Sequence, residues 1–321
     1  MLKSRETILA LAILVLLGGI ALRFAAFIAP ANLAAVFTDT SPLIILALGQ
    51  MAVIVTKCID LSVAANLALC GMIAAMLNGA GVPLPLILLA VVALGAALGA
   101  VNGLLVWRLG IPSIVVTLGT MTIFRGIIFL LTADKWINAH QMTEGFKAFP
   151  RAQFLGLPVM AWIAVAVIGG FALFIRRSPL GRALFAVGGN PHAAVYAGID
   201  VGRTQFAAFV ISGALAGLTG YLWVARYAVA YVDIAGGFEL DVVAACVIGG
   251  IAIAGGAGSV AGAVMGALFL GIIKNALPVV GISPFWQMAI SGTAILVAVA
   301  VNSRGQGRQG RIILKQAEHR A

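Results

Sequence analysis

The chain has 321 residues, of which 62% are hydrophobic and only 9% charged. Its mean hydropathy is +1.13, whereas a soluble domain carries about a quarter charged residues. So much apolar surface excludes a single soluble core and makes the chain an integral membrane protein, each helical crossing needing ~20 apolar residues. The formal charge of +10 gathers at loops and the tail, so topology explains it and nucleic acid is not an expected partner.

In chain order, apolar segments run near 8–28, 42–57, 61–78, 84–107, 113–132, 158–175, 205–225, 241–254, 257–274 and 284–302. Segments 42–57 and 241–254 are short for a straight span. They read as half-helices, or as tilted and continuous with a neighbour. Counting all segments as crossings gives an all-α polytopic membrane protein of about ten transmembrane helices. The first, Thr7–Leu22 behind Lys3 and Arg5, has the look of a signal peptide. It reads as an uncleaved first helix, because the rest is also membrane.

The charges fit ten crossings. Lys3 and Arg5 inside put Arg108, the loop 176–203 and the tail with Arg304, Arg308, Arg311, Lys315 and Arg320 inside as well. Outside fall the mixed segment Asp134–Arg151 and the acidic Asp233, Glu239 and Asp241. This arrangement obeys the positive-inside rule with both termini cytoplasmic. The expected division is a permease domain over 1–303 and a basic cytoplasmic tail over 304–321.

Polar groups interrupt the apolar background at Thr56–Val63. Lys57 and Asp60, three apart, are expected to neutralise each other on one helix face. A break there must be buried in protein or line a wet cavity. Asp60 is expected to cap the helix that begins at Leu61, or to stand at the end or gate of a pathway. Gln50, Asp60, Ser62, Asn66 and Asn102 are the candidate pathway or gate residues, each also suited to an interhelical hydrogen bond. Arg125 and Lys274 are intramembrane cations that snorkel, pair or function.

Small residues at four-residue spacing allow close helix packing. Gly95, Gly99 and Gly103 line one face, Gly258, Gly262 and Gly266 another, and Gly213 with Gly217 a third. Gly256-x-Gly258-x-x-Ala261 formally fits a dinucleotide fingerprint, but no βαβ unit surrounds it. No P-loop, zincin or serine-hydrolase motif occurs, so no catalytic, cofactor or metal site is expected. Cys58, Cys70 and Cys246 read as buried structural thiols. The outside stretch Asp134–Pro150 reads as an interfacial loop anchored by Trp136, or as a face for a soluble delivery protein.

The loop 176–203 is the longest basic interruption. Asn190 caps a helix, Pro191 suits its first turn, and Gly198 supplies a left-handed stop. The short helix between them has small residues, Ala193 and Ala194, so a partner's backbone can approach closely. His192-Ala193-Ala194 followed by Gly198 resembles the Glu-Ala-Ala-x-x-x-Gly loop of ABC importer permeases, with His192 in place of the glutamate. That resemblance implies a coupling helix docked on an ATPase, with Asn190, His192, Ala193, Ala194, Gly198 and Ile199 as its contact residues.

Ile59-Asp60-Leu61-Ser62-Val63 resembles a signature of the monosaccharide-type ABC permeases. Gly110–Gly119, Gly188–Ala194, and Ile248-Gly249-Gly250 leading to Gly255–Ser259 agree in the same order. The resemblance covers essentially the whole chain. It implies an importer of ribose, xylose, galactose, rhamnose or autoinducer-2, with the path in the permease and ATP hydrolysis in a partner. Asn138–Thr143 and Arg226–Gly237 carry a closer likeness to rhamnose permeases, making L-rhamnose the first expected substrate, otherwise ribose, xylose or autoinducer-2. The partners implied are an ATP-binding cassette ATPase, a periplasmic or extracellular sugar-binding protein, and a second permease subunit, identical or paralogous, within membrane lipid. The alternative is an ion-coupled secondary carrier. It is disfavoured because Asp60, Asp233, Glu239 and Asp241 map near span ends, not at the midplane.

Overall fold

The computed structural model describes residues 5–279 and, beyond them, only positions 281, 286, 289, 292 and 293. The segment 284–302 and the tail 304–321 therefore lie outside the described residues.

The helices in order are α1 (Arg5–Arg23), α2 (Pro30–Ile54), α3 (Val63–Gly79), α4 (Leu84–Leu109), α5 (Ser113–Thr132), α6 (Glu144–Arg151), α7 (Val159–Arg177), α8 (Pro179–Gly189), α9 (Pro191–Tyr196), α10 (Val201–Tyr227), α11 (Phe238–Ile248) and α12 (Val260–Val279). Seven of them, α1, α2, α4, α5, α7, α10 and α12, are long and apolar enough to cross a membrane. With 17 residues, α3 is a shorter apolar helix. The fold is that of a mostly helical, multi-pass membrane protein. Four two-residue strands pair at one end: β1 (Ile137–Asn138) with β4 (Val229–Ala230), and β2 (Gln153–Phe154) with β3 (Leu157–Pro158).

The two short apolar segments resolve differently. Segment 42–57 is not a half-helix: residues 42–54 are the inner part of the 25-residue α2, which continues through Pro42, and residues 55–57 open the break that follows. Segment 241–254 falls mostly on α11, whose 11 residues rise only about 16 Å. The chain then runs through Gly249–Ser259 without helix before α12 begins.

At the centre lies α10, packed on α4, α3 and α2. Glycines set the α4–α10 distance. A Cβ at Gly95 would run into Gly213 O, at Gly99 into Phe209 O, and at Gly103 would stand 2.9 Å from Phe206 Cα. The same holds in reverse for Gly213 and Gly217 against Gly95 and Val91. Backbone-to-backbone contact of this kind substitutes dispersion for the hydrophobic drive that is absent between helices in lipid. On α12, Gly262 and Gly266 meet the backbone of Gly249 and Ala245 in the same way. Gly258 does not share that helical face. It precedes α12 in the break, with φ +155, and packs on Ile251.

One end of the bundle carries α8 and α9 with Arg176, Arg177 and Arg182, and is called the basic end here. The opposite end carries residues 133–158 and 228–237. That far end is packed rather than loose. Trp136 stacks on Tyr231 at 4.7 Å, Tyr221 donates to Phe146 O at 3.1 Å, and Asn78 bonds Thr143 through both its amide atoms.

Candidate functional site

Two interruptions face each other at the basic end: residues 55–62 between α2 and α3, and residues 249–259 between α11 and α12. The first begins where Lys57 turns left-handed, with φ +68. That conformation is costly for a residue with a Cβ and persists only where the surroundings impose it. It also separates Lys57 from Asp60. Lys57 is exposed and makes no ion pair among the described residues, whereas Asp60 is 1% exposed. The expected Lys57–Asp60 neutralisation on one helix face is therefore absent, because the segment is not helical.

Asp60 is instead satisfied by neutral donors. Its Oδ1 accepts from Ser62 N at 2.9 Å and Ser62 Oγ at 2.6 Å, and its Oδ2 from Ser212 Oγ at 3.3 Å. The helix that follows begins at Val63 with Ser62 as its N-cap residue, so Asp60 supports the cap from two positions ahead. Gln50, with its amide turned so that both atoms find partners, donates to Asp60 O at 3.1 Å and accepts from Asp60 N at 3.2 Å. Asn102 Nδ2 donates to Ser62 Oγ at 2.8 Å, and Asn102 Oδ1 has no partner among the described residues. Asn66 donates to Gly95 O at 3.2 Å and accepts from Cys70 Sγ.

Four of the five sequence candidates, Gln50, Asp60, Ser62 and Asn102, are thus brought together in one buried network, while the Asn66 side chain bonds apart from them; each of the five is at most 1% exposed. With Ser212, the network joins α2, the break, α4 and α10. Ser212 is the member that sequence reasoning missed, and only its place opposite Asp60 reveals it. Ser212 is the twelfth residue of α10, about 16 Å along a helix of roughly 40 Å. Asp60 therefore lies well inside the bundle, and the expectation that it maps near a span end is corrected. Asp241 is likewise buried, in the first turn of α11, where it forms an ion pair with Lys274 of α12. Arg125 donates to Val232 O and Ile234 O and lies 3.9 Å from Asp233, tying α5 to the far-end loop.

The loop 176–203 folds as the last two residues of α7, then α8, α9 and the start of α10. Asn190 Oδ1 accepts from Ala193 N at 3.1 Å and caps α9. Gly198 follows the helix with φ +77, and Ile199 N returns to Ala194 O at 2.9 Å. The exposed face differs from the expected one. Ala194 is 3% exposed and packs against its own protein, while Val195 is 60% and Tyr196 92% exposed. His192, Ala193, Ala197 and Gly198 are exposed beside them, and Ile199 is half-buried. Aromatic residues are over-represented among the anchors of protein interfaces, and α9 holds a nearly naked tyrosine of that residue class on a capped helix.

These features define a helical membrane protein with interrupted helices and a short helix held out at its basic end. Residues 32–299 match the family described as branched-chain amino acid transport system, permease component. The chain belongs to that family. It is 36% identical over 306 residues to the autoinducer 2 import system permease protein LsrC of Enterobacter sp. (strain 638), covering 95% of this chain and 88% of that one. It is 36% identical over 277 residues to the ribose import permease protein RbsC of Escherichia coli (strain K12), covering 86% of each. LsrC of Photorhabdus laumondii is 33% identical over 302 residues, covering 94% of this chain and 90% of that one. No solved structure matches the chain.

Proposed function

We propose that this chain is the permease subunit of an ATP-driven sugar importer, working with a separate ATPase and a soluble sugar-binding protein. Two permease subunits form the path, since one chain offers one docking helix and so engages one ATPase domain. Both termini are proposed to be cytoplasmic, with the ten apolar segments of the sequence as the membrane part and α11 a half-length member of it. The observation that carries the reading is α9: a capped helix at the basic end whose exposed Val195 and Tyr196 find nothing to cover them among the described residues.

The sugar is proposed separately. The relatives are named for ribose and autoinducer-2. L-rhamnose remains the first candidate here, on the likeness of Asn138–Thr143 and Arg226–Gly237. Those two stretches meet in space, for Asn138 pairs with Val229 and Ile137 with Ala230. They form one surface at the end proposed to receive the binding protein.

Reconstitution with the co-expressed ATPase and binding protein tests both parts. Uptake of L-rhamnose, D-ribose, D-xylose or autoinducer-2 should require internal ATP and no ion gradient. Uptake driven by a sodium or proton gradient without ATP would instead establish the carrier alternative.

A further inference from the structure

We infer that Gly188, Val55 and Gly256 form a backbone junction through which α9 positions both helix interruptions. The inference rests on the reading of α9 as the ATPase contact and adds the route from that contact into the bundle.

The route is short. Asn190 is both the last capping residue of α8 and the N-cap of α9, so any displacement of α9 reaches Gly188 and Gly189 through one residue. Gly188 is buried, and a Cβ there would fall on Val55 O and on Gly256 N. Gly256 N donates to that same Val55 O at 2.9 Å. Gly256 itself has φ +74, and a Cβ on it would stand 2.5 Å from Gly189 Cα. Three chain segments thus touch backbone to backbone at one point: the end of α8, the start of the 55–62 break, and the 249–259 break. Glycine is required here for two reasons, the positive φ at Gly256 and the absence of room at Gly188.

Close-packed backbone has no soft side chain to absorb a shift, so displacement passes on rather than dissipating. From Val55 the chain runs five residues to Asp60, which holds Ser62, Ser212 and, through Ser62, Asn102. The junction therefore couples an exposed helix at the basic end to the polar network inside the bundle. Gly189 supplies an internal contrast: it is exposed, and a Cβ there meets nothing within 4 Å.

The test uses the permease co-purified with its ATPase and reconstituted in nanodiscs, with hydrogen exchange measured over 55–62 and 249–258. Trapping the ATPase with ADP and vanadate should change exchange several-fold in both segments of the wild-type complex. Gly188→Ala should keep ATPase association and vanadate trapping yet lose the change in both segments. Gly189→Ala should respond as wild type. Where Gly188→Ala fails to assemble, Gly255→Ala replaces it: Gly255 has φ +82, and an added methyl would stand 2.5 Å from Lys57 Cγ and 3.1 Å from both Lys57 N and Gly188 O, so it strains the same junction from the side of the 249–259 break, and the response should fall in both segments. A trapped complex of either variant that responds like wild type overturns the junction, as does a wild-type complex that traps vanadate without response in either segment. Failure of the α9 reading shows itself differently, as undiminished ATPase association in a Tyr196→Ala complex.

Discussion

Asn102 of α4 donates to Ser62, on the far side of the break, at 2.8 Å. Ser62 in turn donates to Asp60 Oδ1, so one hydroxyl links an asparagine and a carboxylate that lie on different elements. Removing it orphans Asn102 Nδ2 and leaves the buried Asp60 carboxylate only Ser62 N and Ser212 Oγ as donors among the described residues. Ser62→Ala should destabilise the protein by about 1–3 kcal/mol, the cost of leaving buried polar groups unpaired. Asn102→Leu should cost less, because Asn102 already carries one unpartnered oxygen among the described residues and its removal deletes that orphan. Thermal unfolding in detergent checks the order; an equal or reversed ranking contradicts the network.

The glycines make a paired prediction. Gly99→Ala drives a methyl into Phe209 O and should cost about 1–3 kcal/mol by overpacking. Gly119→Ala on α5, where an added Cβ meets nothing within 4 Å, should leave the melting temperature unchanged.

The Asp241–Lys274 pair joins the half-length α11 to α12, with the Lys274 ammonium also 5.6 Å from the Phe238 ring centroid. Asp241→Ala leaves the lysine without its carboxylate and should cost about 3 kcal/mol. Replacing both partners, Asp241→Leu with Lys274→Leu, should recover much of that loss. Equal destabilisation by the single and double variants would show that the pair contributes little.

How much of this was legible in the sequence depends on the kind of signal. Membrane character and the long spans follow from hydropathy, and the break at 55–62 from charged residues set in apolar sequence. The caps of α9 follow from Asn190 and Gly198, because capping is a local property of side-chain oxygen and positive φ. The exposed side of α9 was not legible. Six residues of mixed small and large side chains fix no face, and only packing on α8 and α10 turns Ala194 inward and Tyr196 outward. The Lys57–Asp60 pairing failed for a related reason: the spacing rule assumes a helix, and the positive φ at Lys57 abolishes it. The depth of Asp60 was hidden because it depends on contact with Ser212, 152 positions away.

The central claim is that a partner ATPase works this permease through the exposed face of α9. Co-purification of the co-expressed ATPase with wild type, Tyr196→Ala and Val195→Asp permeases measures it directly. The account predicts that each variant inserts and unfolds at the wild-type temperature, since neither side chain is packed, yet retains tenfold less ATPase and loses ATP-driven uptake. A loss of tenfold corresponds to about 1.4 kcal/mol, within the range of a single interface anchor. Wild-type ATPase retention and wild-type uptake in both variants would contradict the account and move the contact to another basic-end segment, with the turn at Arg108–Pro112 next in line.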